Sequence, residues 1–411
     1  MKWCRLSRLL SLVLLLLTPL SALSASDGLL LDFVLLPREG DRFQHAEFAC
    51  WLPDAAKPIQ AVIIHQHGCT SAAPDKHPPI TGDWHWRALA RKHHAALLVP
   101  MYQAKNCDEW NDPDSGSERA LFTALADFAQ RSGRSELKDA PWVMWGHSGG
   151  SSWSAQMIVR HPGRVLAASF RGGCHKQFGV PEFRAKFAPI ARELPLLFVW
   201  GKRESVPTSS HFVSWEPMNT MFRELRTQGG HVTRVIDPRS EHGCDDSRLM
   251  SIPFFDAVLS RKTSGAFADI TTFEDRASTE TNRTDPTTAW LPNAEFRSKW
   301  QDFSKTGTLQ LVNPTLTAPE LHVTRDDKDR AQLTWRITPN LDGGLRAIRL
   351  HRDGKLWKEL GLKPGDFLAT GRDSAPEALR ESALTDDSGG KHTYTLTFLD
   401  AAGNESPHSQ P

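Results

Sequence analysis

The sequence predicts an α/β protein with a mostly parallel sheet and helices on both faces, followed by a small all-β sandwich. Between Leu29 and about Ser260, short apolar runs alternate with stretches that have helical spacing. Strands that are apolar on both faces and alternate with helices indicate a parallel sheet that is covered on both sides. Beyond Pro319 the runs become short, nearly alternating and separated by Gly-containing turns, as in a sandwich. We therefore expect two domains in these 411 residues.

Six strands and four helices are predicted in the first domain, which we place at 28–262. The strands are Ala61–His65, Ala95–Pro100, Trp142–Trp145, Val165–Phe170, Leu196–Trp200 and His231–Ile236. The helices are Trp84–His93, Glu118–Arg131, Ser152–His161 and Pro217–Gln228.

A linker and packing segment, 263–315, is expected to join the two domains. Thr263–Thr288 is polar and has no clear period, so it reads as a linker or a loosely packed excursion. Trp290–Leu311 holds Trp300 and Phe303 at helical spacing and could pack against the first domain.

The predicted sandwich covers 316–411 and resembles a fibronectin type III module in three places. Leu333-Thr334-Trp335 is similar to its core tryptophan strand, 394–396 to its penultimate strand, and 401–406 to the turn into its last strand. The strands predicted here are Leu321–Thr324, Ala331–Ile337, Ala347–Arg352 and Thr393–Leu399.

The N-terminus predicts an exported protein. Lys2, Arg5 and Arg8 precede the apolar run Leu9–Leu17, and small residues follow as far as Ala25. This is the pattern of a signal peptide, here 1–25, and the run is short for a membrane span. The mature protein is expected to be secreted or periplasmic, without a stable membrane span. A net charge of +1 and no basic cluster argue against nucleic-acid binding, and the oligomeric state stays open.

One serine lies between glycines directly after a predicted buried strand. Gly146-His147-Ser148-Gly149-Gly150 follows Trp142–Trp145 and leads into a helix. This pattern is typical of a nucleophile turn, in which small residues relieve crowding and the hydroxyl is presented to substrate. The other interpretation is a Gly/Ser turn without chemistry, and the presence of partner residues decides between the two.

Partners are found after three other strands. Ala61–His65 leads into a His67-Gly68 pair, so the N–H groups of Cys69 and Gly149 are expected to form an oxyanion hole. His242 follows the strand at 231–236 and is the candidate base. Glu204 follows Leu196–Trp200 and is the candidate orienting acid, with Asp237 and Asp245 as alternatives.

With these motifs in place, residues from about Val34 to Leu259 resemble an α/β-hydrolase, because Ser148, Glu204 and His242 follow its chain order. The resemblance implies a serine hydrolase that cleaves carboxylic esters through an acyl-enzyme and needs no cofactor. Exported members with cysteines and an appended module resemble carbohydrate esterases and polyester depolymerases. No cap domain fits before Leu196, so an open site and a large or polymer-borne ester are expected.

Three other interpretations are compatible with parts of the sequence. A peptidase could use the same triad but would be expected to carry a gating domain. A non-catalytic binder could keep the fold as a scaffold, which an intact triad order disfavours. A zinc site could use His65 and His67 with Cys69, His242 and Asp245, but an adjacent acidic base is absent, so no metal is expected.

Two residue sets have open roles. Cys69, Cys107, Cys174 and Cys244 fall in loops at the strand ends that form the expected active-site edge, so Cys69–Cys107 and Cys174–Cys244 disulfides are the preferred interpretation, with buried thiols as the alternative. Four aromatic residues could line a substrate cleft or form helix core, namely Trp84, Trp86, Tyr102 and Trp110.

Overall fold

The structure is a computed structural model and describes residues 28–53, 57–69, 79–311, 314–362, 377–380 and 382–410. The predicted signal peptide, 1–25, lies outside the described residues. None of the described helices is long and apolar enough to cross a membrane.

An eight-stranded, mostly parallel sheet forms the centre of the first domain. Its spatial order is β1-β2-β4-β3-β5-β6-β7-β8, with β2 antiparallel to both neighbours and β3 to β8 parallel. This is the α/β-hydrolase arrangement, so the predicted fold class is confirmed. The strands are β1 (Leu29–Leu35), β2 (His45–Leu52), β3 (Ala61–Gln66), β4 (Ala95–Gln103), β5 (Trp142–His147), β6 (Val165–Arg171), β7 (Leu196–Gly201) and β8 (Val232–Asp237).

Helices cover both faces of this sheet, as predicted. Alternate residues along each strand enter two separate hydrophobic clusters, because successive side chains of a strand point to opposite faces. Helices α2, α3, α5 and α6 pack on one face, and α1, α7 and α9 pack on the other. The helices are α1 (Trp84–Lys92), α2 (Ser117–Ser132), α3 (Gly149–Arg160), α4 (His175–Phe178), α5 (Pro181–Ala191), α6 (Phe212–Thr227), α7 (Arg248–Leu259), α8 (Glu280–Arg283), α9 (Ala294–Thr306) and α10 (Glu377–Arg380).

The segment expected to be a linker is folded onto the first domain. Strands β9 (Ala266–Asp269), β10 (Asp275–Arg276) and β11 (Thr288–Leu291) form a small antiparallel sheet. Buried Phe267 and Trp290 join the cluster on the α7 face, and so do Trp300 and Phe303 of α9. The loosely packed interpretation of Thr263–Thr288 is therefore wrong, because a few apolar residues anchor a segment whose average composition is polar.

The last part of the chain is a β-sandwich. Two three-stranded antiparallel sheets, β12-β13-β16 and β15-β14-β17, share one hydrophobic cluster around Leu333, Trp335 and Leu350. Its strands are β12 (Glu320–Arg325), β13 (Ala331–Arg336), β14 (Ala347–Arg352), β15 (Lys355–Gly361), β16 (Ala383–Asp386) and β17 (Tyr394–Leu399).

The sandwich and the first domain share an interface. Trp84 of α1 is buried in the sandwich cluster, and Nε2 of the neighbouring His85 lies 2.8 Å from the carbonyl oxygen of Leu341. Arg346 of the sandwich reaches Asp246, with 3.4 Å between Nη1 and Oδ1. The two parts are thus packed together through both apolar and charged contacts.

Candidate active site

Ser148 occupies a sharp turn between β5 and α3. Its backbone has φ 53° and ψ −115°, a conformation that costs a non-glycine residue about 1–3 kcal/mol and is held by its surroundings. The Ser148 N–H donates to the carbonyl of Arg171 at the end of β6, at 2.9 Å. The turn therefore has the strand-turn-helix geometry expected of a nucleophile.

Two glycines allow neighbouring loops to press against this turn. A Cβ on Gly150 would lie 2.2 Å from the carbonyl oxygen of Gln66, at the end of β3. Gly173, after β6, has φ 86°, and a Cβ there would lie 2.1 Å from the carbonyl oxygen of Ser148. A side chain at either position would push the loops apart, so the chemistry of the turn depends on backbone contacts as well as on the serine.

His242 and Glu204 form a pair in which the carboxyl is buried and the ring is partly exposed. His242 lies in the loop after β8, and its Nδ1 is 2.6 Å from Oε1 of Glu204, which follows β7 and is fully buried. Asp237 instead accepts a hydrogen bond from the Arg239 N–H. The structure therefore brings Glu204 to the ring of His242.

The other ring nitrogen of His242 is oriented away from Glu204. This Nε2 is buried and has no hydrogen-bond partner within the described ranges, Ser148 included. A Cβ on Gly172 would lie 3.0 Å from His242 Cε1, while the adjacent Gly173 packs on Ser148. The turn 172–173 thus contacts the His242 ring through Gly172 and the Ser148 backbone through Gly173. Catalytic hydrogen bonds are often long before substrate binds, and the arrangement fits a base that contacts the hydroxyl during turnover.

The Glu204 carboxyl is held in its charged form. Burial alone would raise its pKa, but the charge of Arg171, the hydrogen bond with His242 and the Gly201 N–H together lower the pKa of Glu204 to about 2. Oε2 accepts from Arg171 Nη1 and from the Gly201 N–H, both at 2.8 Å. A carboxylate in this state can fix the tautomer of His242 and stabilise the imidazolium that forms when the ring takes a proton.

The loop after β3 lies directly against Ser148. A Cβ on Gly68 would lie 2.8 Å from Ser148 Cβ, and one on Gly149 would lie 2.8 Å from Cys69 Sγ. The Gly149 N–H is in the first turn of α3, where backbone donors have no acceptor inside the helix. Cys69 and Gly149 are thus brought together beside the serine, where an oxyanion hole would be needed.

Only one of the two preferred disulfides is present. Cys69 and Cys107 are bonded, which confirms that prediction and joins the loops after β3 and β4. The Cys174–Cys244 bridge is wrong, since both residues are buried thiols. Cys174 belongs to the hydrophobic cluster on the α3 face and Cys244 to the cluster on the α7 face, so the sheet layer separates them.

The four aromatic residues are buried, which agrees with the core alternative of the two that the sequence left open. Trp84 packs in the sandwich cluster and Trp86 in the cluster on the α7 face. Tyr102 stacks on Trp110 with 5.5 Å between ring centroids, and its hydroxyl donates to the Ser117 carbonyl. Trp110 comes closest to the turn, 3.5 Å from the position of a Cβ on Gly149. Helical spacing does not distinguish a helix face that meets a cleft from one that meets another domain.

Two further histidines contact His242 and were missed from the sequence. The ring of His147 donates from Nε2 to the His242 carbonyl at 2.7 Å. Burial, followed by the proximity of His242 and Arg171, holds the pKa of His147 well below its usual value. The ring of His211 stacks on His242 with centroids 3.8 Å apart. His147 could have been noticed inside the serine motif, but the loop sequence around His211 offers no signal.

Arg171 is the third residue that was missed. Its guanidinium is fully buried and bonds to Glu204 and to the loop that holds His242. A charged residue at the end of the apolar strand β6, directly before two glycines, is the signal that could have found it.

Comparison with known proteins gives similarity in structure at low sequence identity. Neither a protein-family model nor a curated protein matches the chain. Among solved structures, poly(aspartic acid) hydrolase-1 from Sphingomonas sp. KT-1 is 13% identical, with 52% of this chain and 93% of that chain covered and a TM-score of 0.38. An S-formylglutathione hydrolase from Agrobacterium tumefaciens is 15% identical, with 57% and 94% covered and a TM-score of 0.38. An acetyl xylan esterase from Aspergillus awamori is 13% identical, with 47% and 79% covered and a TM-score of 0.33.

Proposed function

We propose that this protein is an exported serine hydrolase that cleaves carboxylic esters through an acyl-enzyme intermediate. The single observation that supports the proposal best is the Glu204–His242 pair, 2.6 Å apart. The pair lies against Gly172, and the adjacent Gly173 packs on the strained Ser148. A Gly/Ser turn without chemistry would have no reason to lie beside a pair of a buried carboxylate and an imidazole.

The proposed reaction assigns one step to each group. His242 Nε2 removes the Ser148 proton as the hydroxyl oxygen attacks the ester carbonyl, and Glu204 stabilises the imidazolium. The N–H groups of Cys69 and Gly149 bind the oxyanion of the tetrahedral intermediate. His242 returns the proton to the leaving alcohol, and a water activated by the same ring then hydrolyses the acyl-enzyme.

The substrate class follows from what surrounds the serine. Between β6 and β7 the chain forms only the short helices α4 and α5, so no cap domain is inserted there. Such a site suits an ester that is large or borne by a polymer better than a small enclosed one.

The first test concerns Ser148. In Ser148→Ala, turnover of p-nitrophenyl esters should fall by about three to six orders of magnitude, because the nucleophile is removed. A fluorophosphonate probe should label wild-type Ser148 and leave the variant unlabelled. Esters of graded acyl length and a p-nitroanilide, assayed in parallel, separate ester from amide hydrolysis.

Retained esterase activity in Ser148→Ala, or probe on another residue, would contradict the proposal. Cleavage of the anilide in preference to all esters would replace it with a peptidase.

A further inference from the structure

Arg171 contacts Ser148, Glu204 and the two residues that flank His242. Its carbonyl accepts the Ser148 N–H at 2.9 Å, and its Nη1 donates to Glu204 Oε2 at 2.8 Å. Its Nη2 donates to the carbonyls of Glu241 and Gly243, the residues on either side of His242. The same Nη2 lies 3.2 Å from Ser240 Oγ.

These contacts leave the guanidinium little freedom. Arg171 has no solvent exposure, and its planar fork makes several hydrogen bonds in fixed directions. The same guanidinium bonds to the Glu204 carboxylate and to the two carbonyls that flank His242. It therefore fixes the distance between Glu204 and the loop that holds His242.

We propose that Arg171 is a positioning residue for ester hydrolysis, which clamps Glu204 and the 241–243 loop in register with the serine turn. The inference rests on the proposed function and adds a residue that acts through Glu204 and His242.

Another buried arginine provides a matched control. Arg226 is equally unexposed, but it donates to the carbonyls of Thr288, Gly230 and Asn282, and not to any part of the triad. Arg171→Gln and Arg226→Gln both remove a buried guanidinium, so their common loss of stability can be subtracted.

The experiment measures kcat, KM and melting temperature with a soluble p-nitrophenyl ester as substrate. Arg171→Gln should lower kcat about 100-fold, as expected for a misplaced catalytic group, with KM within about 3-fold. Arg171→Lys keeps the charge but loses the planar guanidinium, so it should lose about 10-fold in kcat. Arg226→Gln should lower the melting temperature and leave kcat and KM unchanged.

A double-substitution cycle tests whether Arg171 acts through the acid. In a Glu204→Gln background, adding Arg171→Gln should cost less than about 3-fold in kcat, because the acid is already lost. An equal cost with and without Glu204, or Arg171→Gln kinetics like those of Arg226→Gln, would overturn the inference.

If Arg171→Gln is insoluble, Arg171→Lys is the variant that tests the proposal. A wild-type kcat in Arg171→Lys would then show that Arg171 is not a positioning residue. Loss of activity in Ser148→Ala alongside wild-type behaviour of the Arg171 variants rejects this inference alone. Activity retained in Ser148→Ala rejects the proposed function itself.

Discussion

At the scale of single residues, the candidate site depends on a carboxylate that is buried yet charged. Glu204 has no solvent exposure, and burial of an unpaired carboxylate would favour its neutral form. Three groups reverse this preference, since Arg171 and the Gly201 N–H donate to Oε2 and His242 bonds to Oε1. The ring is thus oriented by a group that is itself fixed from the opposite side.

Removing the charge of Glu204 should lower both catalytic activity and stability. Glu204→Gln should lower kcat by about 10⁴-fold, because an amide does not hold the ring in the required tautomer. Its melting temperature should also fall, because the buried Arg171 loses its counter-charge. Asp237→Asn and Asp245→Asn are the controls and should stay within a few-fold of wild type. An inactive Asp237 or Asp245 variant beside an active Glu204→Gln would identify a different acid.

The same carboxylate should give a measurable pH dependence of stability. Its pKa is about 2 in the folded protein and about 4.3 when unfolded. The contribution of a carboxyl with a depressed pKa is complete above the unfolded value and is lost as the pH falls towards the folded value. Between pH 6 and pH 3, the unfolding free energy of wild type should therefore fall by about 2 kcal/mol more than that of Glu204→Gln. Urea unfolding of both proteins at the two pH values measures this difference. An equal fall of the unfolding free energy in wild type and Glu204→Gln would show that the folded protein does not lower the pKa of this carboxyl.

At the scale of elements, the site is an edge where four strands end. The turn after β5 holds Ser148, and the loops after β3, β7 and β8 hold Cys69, Glu204 and His242. Parallel strands bring these loops together because their carboxyl ends share one edge of the sheet. The Cys69–Cys107 bond ties the β3 loop to the β4 loop and covers Gly149.

Loss of this bond should loosen the proposed oxyanion loop without unfolding the sheet. The bond closes a loop with a sequence separation of 38, so the chain-entropy model gives a loss of about 4 kcal/mol in unfolding free energy for Cys69→Ala/Cys107→Ala. A displaced oxyanion donor should lower kcat by about 10²-fold or more, with little change in KM.

Reduction with dithiothreitol is the control for the disulfide variant. It should lower the activity of wild type and leave that of Cys69→Ala/Cys107→Ala unchanged, since Cys174 and Cys244 are not bridged. Further loss in the double variant would indicate a second disulfide, and full activity in it would show that the loop holds its place without the bond.

At the scale of the whole molecule, the sandwich is packed against the first domain. Asp83 caps α1 through the N–H groups of His85 and Trp86 and bonds to Arg248 of α7. Trp84, which lies between Asp83 and His85 in the chain, enters the sandwich cluster. Asp246, four positions after His242, is held by Arg239 at 2.8 Å and by Arg346 of the sandwich. The sandwich and the first domain therefore share an interface that includes buried residues of both.

Truncation near Ala318 should consequently destabilise the remaining first domain. It would expose Trp84, a large apolar side chain that is now 2% exposed, and would remove one partner of the buried Asp246. We expect a lower melting temperature, partial aggregation and loss of activity on small soluble esters. Trp84→Ser in the truncated chain should recover solubility more than activity, since it removes only the apolar contact. Activity within a few-fold of full length after truncation would show that the interface is dispensable.

Much of the site could be predicted from the sequence because its signals are local. The six predicted strands of the first domain are present with ends shifted by a few residues, and Ser148, Glu204 and His242 follow β5, β7 and β8 as expected. Glycine crowding around one serine and an apolar run that stops at a polar residue are properties of a few adjacent positions. These signals can therefore be recognised in the sequence without knowledge of the fold.

Tertiary structure decided what depends on contacts between distant segments. The sheet separates Cys174 from Cys244, the sandwich covers Trp84, and Phe267 anchors a segment whose polar composition suggested a linker. The guanidinium of Arg171 bonds to residues that lie 33 to 72 positions away in the chain. A buried guanidinium is stable only where folding supplies its carboxylate and carbonyl partners, and no spacing along the chain encodes that environment.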